Sequence, residues 1–202
     1  MTGSGSPDLW SRWGEWQKSD ARGMKGGEAL IAELNRIVHT SGITSPVTTK
    51  RGLAARLRYL DSPAGRAELT AQGVSPRTIR TWMKAKGKTS PTKASRKAID
   101  AAYWQRRREN LIRSGWLAKH MDNGGQGRRM EIHPVDQSRV DAKYRRDLNS
   151  RTITVRYIWS DLVDAWAKKD ANTVDEIWDD VITDLDSDYN AYAYVSSIGI
   201  NA

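Results

Sequence analysis

A tight turn that leads directly into a short basic helix, within residues 73–87 (GVSPRTIRTWMKAKG), constrains this chain more than any other stretch. Gly73 supplies the positive φ that a sharp turn between two helices requires. The Ser75 hydroxyl can cap the next helix, and Pro76 suits its first position because an N–H there would have no partner. The pattern therefore predicts two helices joined by a turn of a few residues.

The helix after this turn is predicted to have one apolar and one basic face. Ile79, Trp82 and Met83 recur at the i, i+3, i+4 spacing of a buried stripe. The residues off that stripe are expected to face the groove of DNA: Arg77, Thr78, Arg80, Thr81 and Lys84. A capped helix of this kind is typical of the recognition helix of a helix-turn-helix. An ordinary surface helix with a solvated basic face is the alternative.

The distribution of charge favours DNA as the partner. The 202 residues include 33 Lys and Arg and 24 Asp and Glu, for a formal net charge of +9. The net charge of residues 1–50, 51–100, 101–150 and 151–202 is +1, +9, +5 and −6, respectively. A basic middle attracts phosphate at long range, and the predicted helix-turn-helix lies within it. Nucleic acid is therefore a better match than an anionic membrane.

Composition excludes several other kinds of site. The chain has no cysteine, which excludes disulfides and thiolate zinc sites, and its three histidines are scattered. No apolar run approaches the roughly 18 residues of a membrane span, and the N-terminus has no signal-peptide core. The sequence also lacks a nucleophile–base motif and a Gly-rich phosphate loop. We therefore expect a cytoplasmic, nucleoid-associated protein that is not an enzyme and uses no cofactor or metal.

Helices are predicted through most of the first 122 residues. Trp10, Trp13 and Trp16 would share one face of a short helix, which either packs on the protein's own core or anchors a partner. Amphipathic patterns then predict helices over residues 28–39, 48–60, 64–72 and, as the longest, 94–117. The second of these is expected to expose Lys50, Arg51, Arg56 and Arg58. Further candidates for phosphate contacts are Lys86, Lys88, Lys93, Arg106, Arg107 and Arg108.

The pattern changes after the loop at residues 123–127 (NGGQG). Strands are predicted over residues 130–135, 151–159 and 189–198, and helices over residues 160–169 and 174–185. The expected fold class is α+β, with a mainly helical helix-turn-helix N-terminal region followed by a small β-β-α-α-β domain. The expected parts are a Trp-rich segment and helix (1–45), a DNA-binding region (46–122), a linker (123–150) and a small acidic α+β domain (151–202).

Five aspartates near the C-terminal end invite comparison with a Mg²⁺ site: Asp179, Asp180, Asp184, Asp186 and Asp188. Carboxylates flank divalent ions at many nucleotidyl-transfer sites. No second motif supports a metal here. A solvated acidic face that keeps this domain soluble and away from DNA is the favoured interpretation.

Two stretches together resemble a known family. One is GVSPRTIRTWMKAKG with the following TSPTKASRKAIDAAY, and the other is the ITVRY strand, which leads into a short helix, an acidic helix and a last strand. Over roughly residues 50–202 this arrangement resembles the terminal proteins that cap linear chromosomes and plasmids in Streptomyces-type bacteria. The resemblance implies a protein linked through a side-chain hydroxyl to the 5′ end of DNA, with metal and polymerase supplied elsewhere.

The acceptor implied by the resemblance should lie in the basic approach to the ITVRY strand. The candidate nucleotide-acceptor hydroxyls are Ser138, Tyr144, Ser150 and Thr152. Arg145 and Arg146 lie close enough in sequence to hold phosphate. None of the four hydroxyls is singled out, and each taken alone resembles a plain surface or turn residue.

The resulting expectation is a DNA-binding protein that acts in replication or end maintenance of a linear or mobile replicon. Its C-terminal domain would self-associate or bind a replication partner. A helix-turn-helix transcriptional regulator that dimerises through this domain is one alternative. The other is a DNA-gripping packaging or assembly adaptor.

Overall fold

The computed structural model describes residues 21–84, 91–185 and 191–201. In these ranges the chain forms eight α-helices and one four-stranded antiparallel sheet, so the predicted α+β class is confirmed. Several residues named above lie outside the described ranges: Trp10, Trp13, Trp16, Lys86, Lys88, Asp186 and Asp188.

The helices and strands are named here in chain order. The helices are α1 (Gly26–Thr40), α2 (Lys50–Tyr59), α3 (Pro63–Ala71), α4 (Pro76–Lys84), α5 (Lys93–Arg113), α6 (Trp116–Asp122), α7 (Trp159–Lys168) and α8 (Ala171–Thr183). The strands are β1 (Met24–Lys25), β2 (Arg128–Pro134), β3 (Arg151–Val155) and β4 (Tyr194–Ile200). A short 3₁₀ turn, Ala142–Tyr144, precedes β3.

The chain divides into two compact units. The helical unit is the continuous segment Arg36–Leu117, and the sheet unit combines Met1–Asn35 with Ala118–Ala202. This division differs from the four expected parts. Residues 123–150 are not a linker, because they contain β2, which pairs with both β3 and β4. The region before residue 46 is likewise divided, since the boundary falls inside α1.

The helical unit is built by α2 to α5 around one apolar core. Side-chain caps begin three of its helices, as hydroxyls accept the otherwise unpaired first amides. The Thr49, Ser62 and Thr92 hydroxyls accept from the amides of Gly52, Gly65 and Ser95 at 3.0, 3.0 and 3.2 Å. The core comprises Leu53, Leu57, Leu60, Leu69, Val74, Ile79, Trp82, Ile99, Ala102 and Tyr103.

Two expectations for this unit are wrong. The longest helix ends at Arg113 instead of continuing to residue 117, because Gly115 adopts φ +64 and a new helix begins at Trp116. Arg56 does not face solvent but is buried at 4% exposure. Its guanidinium donates to Asp100 Oδ1 at 2.6 Å and to the carbonyl of Ser45 at 2.6 Å, so it ties α2 to α5 and to the loop before α2.

The sheet unit contains strands in the order β1-β4-β2-β3, and every neighbouring pair is antiparallel. Alternate strand residues are buried on one face, as the period of two requires. Those buried residues are Met130, Ile132, Val155, Ile198 and Ile200. Three hydrogen bonds connect α1 and α8 to the rest of this unit: Ile200 N to Glu33 Oε1, Trp178 Nε1 to Tyr192 O, and Trp166 Nε1 to Asn35 Oδ1.

Three boundaries in this unit differ from the sequence prediction. Strand β3 ends at Val155, because Tyr157 adopts φ +66 and Trp159 already begins α7. Helix α8 begins at Ala171, earlier than the predicted residue 174, and is capped by Asp170, whose carboxylate accepts from Thr173 N at 3.2 Å. Strand β4 runs over Tyr194–Ile200, later than expected.

Candidate nucleic-acid interface

The turn between α3 and α4 is fixed by backbone hydrogen bonds. Gly73 has φ +81, its amide donates to Thr70 O at 2.9 Å, and the Val74 amide donates to Leu69 O at 3.1 Å. These two bonds form the Schellman motif, which satisfies the last carbonyls of a helix. Leu69 and Val74 are both buried, which supplies the apolar contact that accompanies the motif. The direction in which α4 leaves the turn is therefore well defined.

Helix α4 is held by its apolar side. The Thr78 amide donates to the Ser75 hydroxyl at 3.2 Å, so Ser75 provides the predicted cap. Ile79 and Trp82 are buried at 3% and 6% exposure. Since both lie on the predicted stripe, the opposite side of α4 is presented to solvent.

That outer side carries an unpaired basic stripe. Arg77, Arg80, Thr81 and Lys84 are exposed and recur at i, i+3, i+4 and i+7. Within the described ranges, the side chains of the three cations make no hydrogen bond or ion pair. Thr81 donates its hydroxyl to Arg77 O at 3.1 Å. Thr78 is half-buried with its hydroxyl 2.9 Å from that of Ser75, so the threonine hydroxyls are already engaged locally.

The three consecutive arginines of α5 have structural partners. Arg106 forms an ion pair with Glu109 at 3.1 Å. Arg107 donates to Val38 O at 3.3 Å, and also to the carbonyl and hydroxyl of Ser41. Burial lowers the pKa of Arg108, an effect that Glu109 partly offsets. The role of these arginines as phosphate contacts remains a prediction, and Lys93 at the start of α5 is the more exposed candidate.

The two units differ sharply in charge. The helical unit contains 18 Lys and Arg and 4 Asp and Glu, a net charge of +14. The rest of the chain, which is the sheet unit, therefore has a net charge of −5. The basic stripe of α4 lies in the strongly positive unit.

Two of the candidate acceptor hydroxyls lie in the loop before β3. Ser138 is exposed, and its amide donates to Asp136 Oδ1 at 2.8 Å, a bond that lowers the pKa of Asp136. The Tyr144 side chain is 64% exposed. Arg145 donates to the carbonyls of Val140 and Ser138 at 2.8 and 3.0 Å, so its guanidinium stabilises the loop.

The other two candidates, Ser150 and Thr152, lie on the exposed side of the sheet, here called the open face. The open face consists of Arg129, Glu131 and His133 from β2, Ser150 immediately before β3, Thr152 and Thr154 from β3, and Ser197 and Gly199 from β4. The Ser150 Oγ lies 3.0 Å from His133 Nδ1, and Thr152 is paired with Glu131. The sequence showed no base beside any hydroxyl, because this proximity depends on strand register. Locally, the sequence indicated only that Glu131 and His133, two positions apart on a predicted strand, would face the same side of the sheet.

The acidic residues of α8 form no described metal site. Asp180 and Asp184 are exposed. Burial raises the pKa of Asp179, and the nearby Asp175, Asp180 and Glu176 carboxylates raise it further. In the ranges that the structure describes, no three His, Asp or Glu side chains are grouped as metal ligands.

Comparison of this chain with protein-family models, curated proteins and solved structures gives no match. None of the described helices combines the length and apolar character needed to cross a membrane.

Proposed function

We propose that the protein binds duplex DNA through a helix-turn-helix in which α3 is the first helix and α4 the recognition helix. The exposed stripe of Arg77, Arg80 and Lys84, which is unpaired within the described residues, is the observation that carries the proposal. Cationic groups without protein partners are available to phosphates and to base edges in the major groove. The fixed turn and the buried back of α4 support a rigid presentation of this stripe.

Electrostatics supports the assignment of DNA contact to the helical unit. A net charge of +14 favours association with phosphate by releasing condensed counterions. The sheet unit, at −5, is repelled by DNA overall. We assign it to self-association or to a replication partner.

We further propose that DNA binding serves replication or end maintenance of a linear or mobile replicon. Support comes from the exposed hydroxyls that precede and begin β3, which are accessible to a DNA end. The contact between Ser150 and His133 provides one of these hydroxyls with a neighbouring base. A transcriptional regulator would use the same helix-turn-helix but would not require a reactive hydroxyl, so the two roles are separable by experiment.

Removal of two stripe charges tests the DNA interface. We expect Arg77→Ala with Arg80→Ala to weaken duplex binding and to make the plot of log K against log salt less steep, by about 0.9 for each lost phosphate contact. Fluorescence anisotropy of the full chain over a series of NaCl concentrations measures both effects. The control is Lys119→Ala with Lys168→Ala, which removes two exposed charges from the sheet unit. Equal binding by the stripe variant and the wild type would overturn the proposal.

The contribution of Arg77 to base readout is tested on a binding sequence selected from random duplexes. Arg77→Ala should cost about 1–3 kcal/mol at one base position if Arg77 reads a guanine, whereas Lys93→Ala should weaken binding to all sequences equally.

Competition between a linear fragment and the same sequence in a closed circle tests whether DNA binding serves end maintenance. Preference for the linear form supports end maintenance, and dimer-dependent binding to a palindrome supports the regulator.

A further inference from the structure

The open face brings a carboxylate, an imidazole and a hydroxyl into one row. Ser150 Oγ lies 3.0 Å from His133 Nδ1, and His133 Nε2 lies 3.9 Å from Glu131 Oε1. Strand register accounts for this row. Since Ile132 pairs with Arg151, the adjacent positions His133 and Ser150 lie opposite each other and face the same side of the sheet. Neighbouring strands therefore hold the two groups together.

The backbone on both sides of the row is anchored. The Tyr192 hydroxyl donates to Asn149 O at 2.6 Å, which fixes the residue before Ser150. The Ser196 hydroxyl donates to His133 O at 3.4 Å. Gly199, paired with Glu131, leaves open space, since an added Cβ would meet no atom within 4 Å. The row is thus both fixed in position and accessible.

We propose that Ser150 is a nucleophile, with His133 as its general base and Glu131 as a positioning residue. In the imidazole tautomer protonated at Nε2, Nδ1 accepts the Ser150 O–H, and the Nε2 proton lies on the side of Glu131. Serine is a weak nucleophile until an adjacent base removes its proton. At 3.9 Å the Glu131 carboxylate does not accept a normal hydrogen bond. Its charge stabilises the imidazolium that forms as the proton moves.

The chemistry of the surroundings indicates a phosphoryl electrophile. The segment that leads into β3, residues 139–150, contains four Lys and Arg against two Asp, within a unit whose net charge is negative. Arg129 lies on the same open face as Glu131, two positions away along β2. Local positive charge attracts an anionic phosphate ester and not a neutral acyl compound. The identity of the natural donor, a nucleotide at a DNA end, rests on the proposed function, whereas the nucleophile does not.

The reaction is a substitution at phosphorus. A bond forms between Ser150 Oγ and phosphorus, and the bond from phosphorus to its leaving group breaks. For a phosphate within a DNA strand, the leaving group is the 3′ oxygen of the neighbouring nucleotide. It departs with the electron pair, and the Oγ proton is transferred to His133 Nδ1. The product is a phosphoserine ester linkage on the protein.

A fluorophosphonate probe tests the nucleophile with the full chain and without DNA. In this reaction Ser150 Oγ displaces fluoride, so intact mass shows one adduct per chain and peptide mapping locates it. We expect wild type to be labelled at Ser150, and Ser150→Ala to be unlabelled. Ser197→Ala is the matched control, because Ser197 is an exposed serine that faces His133 from β4, and it should be labelled like wild type.

Variants of the neighbouring groups test their roles. His133→Gln should slow labelling at least about 100-fold, the usual contribution of a general base. The wild-type labelling rate should depend on pH, and this dependence should disappear in His133→Gln. Glu131→Gln should slow labelling by a smaller factor and displace the pH profile, which a purely structural role would not do. Among the strand residues of the open face, the charged groups are Glu131, next to His133, and Arg129, further along β2.

Circular dichroism of each variant establishes that the fold is intact, as expected for exposed positions. The proposal is overturned if Ser150→Ala is labelled like wild type, or if wild type resists concentrations that fully label a serine hydrolase. DNA binding by the same samples is measured in parallel. Labelling at Ser150 without DNA binding would refute the proposed function alone, and DNA binding without labelling would refute the nucleophile alone.

Discussion

The two units carry opposite net charge, yet each buries a charged side chain of its own prevailing sign. Among the described residues, the helical unit buries Arg56 at 4% exposure and the sheet unit buries Glu33 at 5%. Arg56 donates to the carbonyls of Ser45 and Ile43, and Glu33 accepts the amide of Ile200. Both side chains therefore satisfy backbone groups in places that water does not reach.

Charge composition alone therefore does not identify an interface. Arg56 and Arg77 belong to the same basic unit, but one is surrounded by acceptors and the other has none among the described residues. The net charge of a unit indicates which partner it attracts at long range. Only the contacts of each arginine indicate whether it can bind that partner.

The largest loss of stability is expected from Arg56→Ala. Loss of the guanidinium leaves Asp100 and loop carbonyls without their partner, at a cost of about 3 kcal/mol. Hydrogen exchange with mass spectrometry should show faster exchange in the helical unit, while sheet-unit peptides stay unchanged. Arg58→Ala, an exposed change in the same helix, is the control and should alter stability by less than about 0.5 kcal/mol. Equal effects of the two variants would remove the distinction between structural and available arginines.

Gly26→Ala should produce the next largest loss of stability, and this variant changes the sheet unit. A Cβ at Gly26 would lie 1.9 Å from Trp178 Nε1, whose N–H donates to Tyr192 O. The indole must move, which we expect to cost about 2 kcal/mol as overpacking of a core. Thermal unfolding measures the loss. Gly199→Ala, where the added Cβ meets open space, should be nearly neutral, and a loss equal to that of Gly26→Ala would contradict this packing.

The smallest change in stability is expected from Asp179→Asn, which removes one negative charge from the acidic surface of α8. Because burial and like charges raise the pKa of Asp179 in the folded protein, ionisation opposes folding above that pKa. The variant should therefore be more stable than wild type at neutral pH, by about 0.5 kcal/mol. The gain should shrink as pH falls through the raised pKa and vanish below the usual carboxyl value of 3.8. Denaturant unfolding at several pH values measures this gain in stability, and Asp164→Asn, a change at an exposed position, is the control. A gain that does not vary with pH would contradict the prediction.

The features that the sequence predicts best are those that depend on contacts between residues a few positions apart. The turn at Gly73 and the cap at Ser75 depend on local hydrogen bonds, and both occur as expected. The burial of Arg56 was missed because its acceptors come from a loop and from another helix. The contact of Ser150 with His133 was missed for a similar reason, since only the pairing of β2 with β3 creates it.

Strand β4 pairs with residues that lie far from it in the sequence. This strand, near the C-terminal end of the sequence, is an interior strand that pairs Val195 with Met24 on one side and Ile200 with Met130 on the other. Closing so long a loop costs entropy before any pairing is gained, which makes such contacts slow to form. The helical unit, drawn from one continuous segment, has no such delay. We therefore expect its helices to be protected from exchange first during refolding, and the sheet to be completed only when β4 is inserted between β1 and β2.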